Sequence, residues 1–381
     1  MHVIFSLLAV IALIAIAYAG VAGAGMTYLF GVVIPYAAVI TFFLGLILKV
    51  LDWGRSAVPF CIPTTCGQQK TLPWIKPNKV DNPTSTGGVI ARMFFEVVTM
   101  RSLFRNTKLD YRVEHGQPVI RQGSEKFLWL YAILFHYSFL VVILWHLRFF
   151  MEPVPHLVTV IENLDGFLEV GLPQVLISGI ILVAMAGALL DRRIRMPNMR
   201  YISLTSDYFP LFLIMGIGIT GILMRYFLRV DITSIKELTM GLATMHPVIP
   251  DKPIDPLFYA HMFLVCVLFA YFPFSKLMHM PGVFMSPTRN LPTNSREERH
   301  VNPWNYPVKT HTYEEYEDDF RDLMIEAGLP VEHNPAEEEA AAEGAEEGAA
   351  QGAEDAGGEA GPADEASAQE PAAAAPEEKK E

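Results

Sequence analysis

The stretch "LYAILFHYSFLVVILWHLRFF", residues 130–150, is apolar enough to cross a bilayer, yet it carries His136 and His146. About 20 such residues span a hydrocarbon core, so it reads as a membrane helix, and two imidazoles inside it need a reason. The wider chain agrees, with 51% of its 381 residues hydrophobic and a mean hydropathy of +0.29.

Apolar length predicts six spans, at 3–20, 28–51, 127–150, 172–190, 207–229 and 257–280. The expected fold class is all-α, a polytopic membrane helix bundle. Five regions follow: two N-terminal membrane helices in 1–51, a polar loop in 52–126, a four-helix core in 127–280, a polar segment in 281–333 and an acidic tail in 334–381. Pro35 and Pro273 interrupt two spans, which membrane helices tolerate when neighbours satisfy the freed carbonyls. The first span also admits a signal-peptide reading, because "AYAG" at 17–20 offers small residues, but it lacks a basic start, and retention is expected.

The net charge of −12 belongs to the tail, which holds 15 of the 41 acidic residues and 2 of the 29 basic ones. Its Ala, Glu, Gly and Pro composition supplies too little apolar surface to offset the entropy of ordering. Membrane lipid is an expected partner and nucleic acid is not.

Orientation follows from the distribution of Lys and Arg. Segment 52–126 carries eleven of them, from Arg55 to Lys126, and is expected to be cytoplasmic. The next loop, 151–171, has Glu152, Glu162, Asp165 and Glu169 without one Lys or Arg, and belongs outside. "DRRIRMPNMR" at 191–200 is again basic. Both termini therefore fall on the inside of a cytoplasmic membrane.

Span three then runs inside to outside and span six the reverse. His146 and His261 share the outer half, and His136 and His279 the inner half. At about 100° per residue, eighteen residues make five turns, so His261 and His279 project from one stripe, and ten residues keep His136 and His146 on one side. Two imidazoles from opposed helices at each of two depths suit two stacked haems, each iron held by one histidine from each helix. Their rises, about 15 Å and about 27 Å, differ by about 12 Å, which tilt must absorb. A proton or ion transporter would want mid-span carboxylates, whereas Asp191 and Asp207 lie at span ends. A transition-metal carrier would want Cys, Met or carboxylate beside the histidines; Cys266 and Met262 are close, but Met is common core filler and does not argue for it.

The histidine spacings resemble those of the nitrate reductase gamma subunit, a dihaem cytochrome b. The flanking segments "PFCIPTTCGQQKTLPWIKPNKVDNP" at 59–83 and "MHMPGVFMSPTRNLPTNSREERHVNPWNY" at 278–306 resemble the DsrM family, cytochrome b subunits of the sulfite-reduction-associated DsrMKJOP complex. The likeness covers about residues 1–333. It implies two haem b groups, His136 with His279 inside and His146 with His261 outside. It also implies that the protein is the quinol-oxidising subunit of a membrane oxidoreductase, with menaquinol as substrate. Electrons would pass to a cytoplasmic iron–sulfur subunit like DsrK. Other DsrJOP-like subunits, including a periplasmic multihaem cytochrome c, would complete the complex, and related redox complexes use similar subunits.

Haem propionates need cations. Arg148, Arg225 and Arg229 lie toward the outside and Arg192, Arg193 and Lys276 toward the inside, although the same residues suit lipid headgroups. Glu152 and His156, just past the outer histidine, are candidate proton acceptors for a quinol. Residues 89–105 form an amphipathic stripe of Ile90, Met93, Phe94, Val97 and Phe104 with Arg92, Arg101 and Arg105 among them, fit for lipid or for a partner. Cys61 and Cys66 lack the histidine of a c-type haem motif and fall short of four cluster ligands, so free thiols are expected.

Overall fold

The computed structural model describes residues 1–56, 67–166, 174–294 and 310–335. The expectations for Cys61, Cys66 and nearly all of the acidic tail fall outside them. The chain forms two units, Met1–Pro303 and Trp304–Glu381.

α1 (His2–Ala22) runs through uninterrupted apolar sequence until Gly25, whose φ of 65° turns the chain. A π turn, Leu29–Val33, leads into α2 (Ile34–Arg55), with Pro35 in its first turn, where a missing N–H costs nothing. α3 (Thr86–Thr99) is capped by the Ser85 hydroxyl and ends at Met100, left-handed at φ 49°. A hairpin follows, β1 (Thr107–Glu114) paired antiparallel with β2 (Gln117–Ser124). Its turn uses His115 and Gly116, both at positive φ, as a two-residue hairpin turn requires. α4 (Lys126–His146) carries a 3-10 extension, Leu147–Phe149. After it come α5 (His156–Asp165), α6 (Ile177–Arg195), α7 (Thr205–Ile222) with a π extension to Leu228, and α8 (Ile232–Ala243). α9 (Pro256–Tyr271) precedes α10 (His279–Met285).

α9 lies against α1, α2 and α7; α7 also packs on α6, and α6 on α4. Tyr208, Leu213 and Leu264 are buried between these helices, while Ile4, Phe5, Leu8, Ile11, Phe43, Leu44 and Leu48 are exposed on α1 and α2. Apolar side chains exposed along whole helices are what a lipid-facing surface requires. Pro210 cannot bond the Ser206 carbonyl, and the Tyr271 hydroxyl approaches that oxygen at 3.5 Å instead. This is a multi-pass helical membrane protein.

Among the described residues five segments have the length and composition to cross a membrane: His2–Ala22, Leu29–Arg55, Lys126–Phe149, Thr205–Leu228 and Pro256–Phe274. The sixth expected span is α6, which has only Ile177–Leu190 before Asp191, Arg192 and Arg193. That is about 21 Å of apolar helix against a core of about 30 Å. Even so, α6 runs the length of the bundle. Its Arg192 pairs with Glu125 at the start of α4, and its Arg193 donates to Ser203 just before α7. The chain thus returns along α6 from the far end of α4 to the near end, where His2 also meets Thr205. At the far end, the Asp165 carboxylate accepts from the Ser178 backbone N–H and hydroxyl and caps α6.

Two expectations need correction. Span 257–280 is not one helix, because Phe272–Phe274 tightens to 3-10 geometry at Pro273 and Ser275 is extended at φ −125°, ψ 174°. His279 therefore heads a separate helix, and eighteen residues no longer count as five turns. The segment 52–126 also holds a hairpin that an all-helical reading missed. Leu109, Tyr111, Val113 and Ile120 are exposed on one of its faces, an alternation that reads as a strand once looked for.

The break is held from α2. A Cβ on Gly45 would stand 2.6 Å from Pro273 Cβ and 2.8 Å from its Cγ, both on a rigid ring. Gly45→Val is expected to cost about 1–3 kcal/mol by overpacking, seen as a lower midpoint of thermal unfolding in detergent. An unchanged midpoint would contradict this contact.

On the near side, the two segments that carry the DsrM resemblance meet. Thr293 N–H donates to Pro83 O at 2.7 Å, and Gln69 Nε2 donates to Thr293 O at 3.3 Å. Asp81 binds Arg101 at 2.8 Å, Asn78 at 2.8 Å and Arg105. Burial alone would raise the Asp81 carboxyl, but the hydrogen bonds from Arg101 and Asn78 and the charges of both arginines hold it below the ordinary carboxylate range. Of the expected amphipathic stripe, Ile90, Phe94 and Val97 are exposed on α3 and Phe104 just beyond it, while Arg92 is buried. Trp129 and Tyr137 of α4 donate to Thr99 O and Val98 O, fastening α3 to a spanning helix. In the second unit, α11 (Tyr313–Glu326) is capped by Thr312, and Glu317 accepts the backbone N–H groups of Glu332 and His333.

Candidate haem site

α4 and α9 carry three of the four histidines, yet they are not a packed pair: α4 rests on α6, and α9 on α1, α2 and α7. The histidines lie along the gap between them. At the near end the rings of His136 and His279 have centroids 6.0 Å apart and planes at 88°. Two metal–imidazole bonds of about 2 Å, plus about 1 Å from each nitrogen to its ring centre, put two axial histidines about 6 Å apart. His146 closes α4 at the far end, and His261 lies in the second turn of α9 at the same end.

Each ring is fixed through Nδ1. His136 bonds Ala132 O at 2.7 Å, His146 bonds Val142 O at 2.6 Å and His279 bonds Lys276 O at 2.8 Å. His261 bonds Thr220 Oγ1 at 2.9 Å. A carbonyl only accepts, so Nδ1 carries the proton in the first three, and Nε2 keeps its lone pair. Second-shell bonds of this kind orient a metal-bound imidazole and raise its basicity. No Nε2 of the four has a hydrogen bond among the described residues.

Among the described residues no three His, Cys, Asp or Glu side chains converge on a point that could cage an ion. Histidine pairs suit a group that brings its own equatorial ligands, as haem does. Two buried donors at the far end also lack partners among the described residues, Trp145 Nε1 and Arg225 Nε. The Trp145 ring lies 4.0 Å from the His146 ring, nearly parallel at 22°. Such orphaned donors fit an anionic acceptor beside the far pair, the role a propionate would fill.

The other expected residues divide. Arg225 donates Nη2 to Gln174 O at 3.2 Å and keeps Nε available. Arg148 is ion-paired with Glu162, so it is less open to a propionate than its position suggested. Arg229 is exposed and left-handed at φ 49° where α7's extension ends. At the near end Arg192 pairs with Glu125, and Lys276 and Arg193 both engage Asp207, at 2.6 and 3.6 Å. These three cations are already engaged by two carboxylates of the chain itself. Glu152 is ion-paired with Lys236 of α8, while His156 begins α5 with an exposed side chain. Thr220 and Trp145 were missed. Thr220 had a signal, a lone hydroxyl in the apolar run "GIGITGI" at 216–222.

A helical membrane bundle with opposed histidine pairs describes a class, the membrane cytochrome-b-like electron carriers. The nitrate reductase gamma subunit family matches residues 95–294, and the chain belongs to that family. It is similar to the Hdr-like menaquinol oxidoreductase cytochrome b-like subunit of Archaeoglobus fulgidus, with 45% identity over 282 residues that cover 72% of this chain and 83% of the relative. The subunit of the same description from Archaeoglobus profundus is 42% identical over 277 residues, 71% of this chain and 81% of the relative.

Proposed function

We propose that this chain is a dihaem membrane cytochrome b that oxidises menaquinol at its outer face as the electron-entry subunit of a larger redox complex. His136 with His279 and His146 with His261 are the axial pairs. The observation that carries this reading is the pairing itself: opposed histidines held through Nδ1, of which His136 and His279 stand at the 6.0 Å that two axial ligands need. The descriptions of the Archaeoglobus relatives support menaquinol as the donor. When bound, the two groups supply one-electron transfer between the outer quinol side and the inner partner side.

The chain's residues do the rest. Arg225 and Trp145 offer donors to a propionate of the outer group. Their readiness comes from burial without a partner among the described residues. Of the two candidate proton acceptors, His156 is the better placed, because Glu152 would have to give up Lys236 on protonation. The far end is outside and both termini are inside, from the Lys and Arg bias. On the inner side, the surface built from 67–106 and 284–294 is where a DsrK-like iron–sulfur subunit would dock. DsrJOP-like subunits, including a periplasmic multihaem cytochrome, would complete a sulfite-reduction complex. A related redox complex is the second reading, favoured by the Hdr-like description of the Archaeoglobus relatives.

The test is a pyridine haemochrome assay on the purified chain, followed by anaerobic addition of a menaquinol analogue. Two b-type haems per chain, reduced by the quinol, are expected. A colourless protein that passes protons or metal ions in vesicles would replace this reading with a transporter. Co-purification separates the two complexes: a periplasmic multihaem cytochrome together with an iron–sulfur partner marks the DsrMKJOP type.

A further inference from the structure

We propose that Thr220 is a positioning residue for the outer axial pair: its hydroxyl holds His261 by Nδ1 and sets how strongly that imidazole donates to iron. This rests on the dihaem reading above.

Three of the four histidines are held by carbonyls of their own segment, three or four residues back. His261 alone is held from another helix, by the Thr220 side chain of α7 at 2.9 Å with the Ile217 carbonyl of the same helix beside it. Thr220 is 4% exposed, so water does not compete freely for it. A hydroxyl has one proton and two lone pairs. Oγ1 lies 2.8 Å from Gly216 O and 3.0 Å from Ile217 O, and both of those atoms only accept. The hydroxyl proton is therefore committed to the backbone of α7, and Oγ1 accepts from His261 Nδ1–H. Nε2 is left as the lone-pair nitrogen. The ring also packs on the next residue: a Cβ on Gly221 would stand in ordinary contact with it, 3.4 Å from His261 Cε1. "GITG" at 218–221 is thus a seat for one imidazole.

An acceptor on Nδ1–H enriches the imidazole in electron density and favours the ferric state of a bound iron. Removing it raises the midpoint potential of the outer haem and leaves the inner one, whose histidines rely on backbone, where it was. Thr220→Val keeps the shape without the hydroxyl, and Thr220→Ser restores it. The measurement is haem content and a potentiometric titration of the full-length chain in its membrane complex.

Two haems in all three proteins, with one potential raised in Thr220→Val and returned toward the parent value in Thr220→Ser, is the expected result. Loss of one haem in Thr220→Val that Thr220→Ser prevents would also support the assignment. Two haems with identical potentials in all three proteins would overturn it, the Nδ1 proton having passed to the neighbouring Ile217 carbonyl. Equal damage in both variants would overturn it too, marking a packing role. A parent protein without haem would instead end the underlying reading.

Discussion

Replacing His146 by alanine is expected to leave one haem per chain where the parent holds two, and to abolish reduction by menaquinol. His146 has its Nδ1 on Val142 O at 2.6 Å, so alanine removes an oriented ligand. His261→Ala should do the same from the opposite helix. His136→Ala and His279→Ala should each remove the other haem, because those two rings face one another at 6.0 Å. The amplitude of the reduced α-band should fall by about half in each case. Two substitutions within one pair should be no worse than one, whereas one from each pair should leave a colourless protein. That pattern of non-additivity tests the pairing and not just the importance of each residue. Loss of both haems on every single substitution, or full retention, would disprove the assigned pairs.

That His136 would lie beside His279, and His146 at the same end as His261, was legible in the sequence because opposed spans fix depth. The helical-phase step was unsound. Ser275 is extended and Pro273 tightens the turn before it, and propensity does not say whether a proline in an apolar run bends a helix or ends it. The break moves His279 onto its own helix, and the axial rise of an unbroken eighteen residues no longer applies. The partners of the cations were not legible. Arg148 looked open in the sequence, but Glu162 lies fourteen residues on, and only the turn through 150–155 brings them together. Likewise Asp207 gathers Lys276 and Arg193 from two other elements. The hairpin at 107–124 was hidden by charge, since Lys108, Arg112 and Arg121 alternate with its apolar face and a net count blurs them.

Asp81→Ala is expected to unfasten the inner surface on which a partner would dock. The carboxylate is 7% exposed and joins Arg101, Arg105 and Asn78, which lie before and after α3. Arg101 and Arg105 are 36% and 48% exposed and can turn to water, so what the substitution removes is the carboxylate's hydrogen bonds, worth about 1–3 kcal/mol. The loss should be local, because the spanning helices are held by their own apolar contacts. Limited trypsin digestion should therefore cut at Lys70 and Lys79 in the variant before it cuts in the parent, with haem content unchanged. The pH dependence has a definite sign. A carboxyl held below its ordinary range stabilises the fold fully above the unfolded value, and that contribution is lost as the pH falls through about 4 toward the folded value. Trypsin is slow at such pH, so pepsin replaces it for this limb. The parent should become pepsin-sensitive in residues 67–85 on acidification, while Asp81→Ala should be sensitive throughout and nearly flat with pH. Equal protection of the two proteins at neutral pH would show that Asp81 does not hold this surface together.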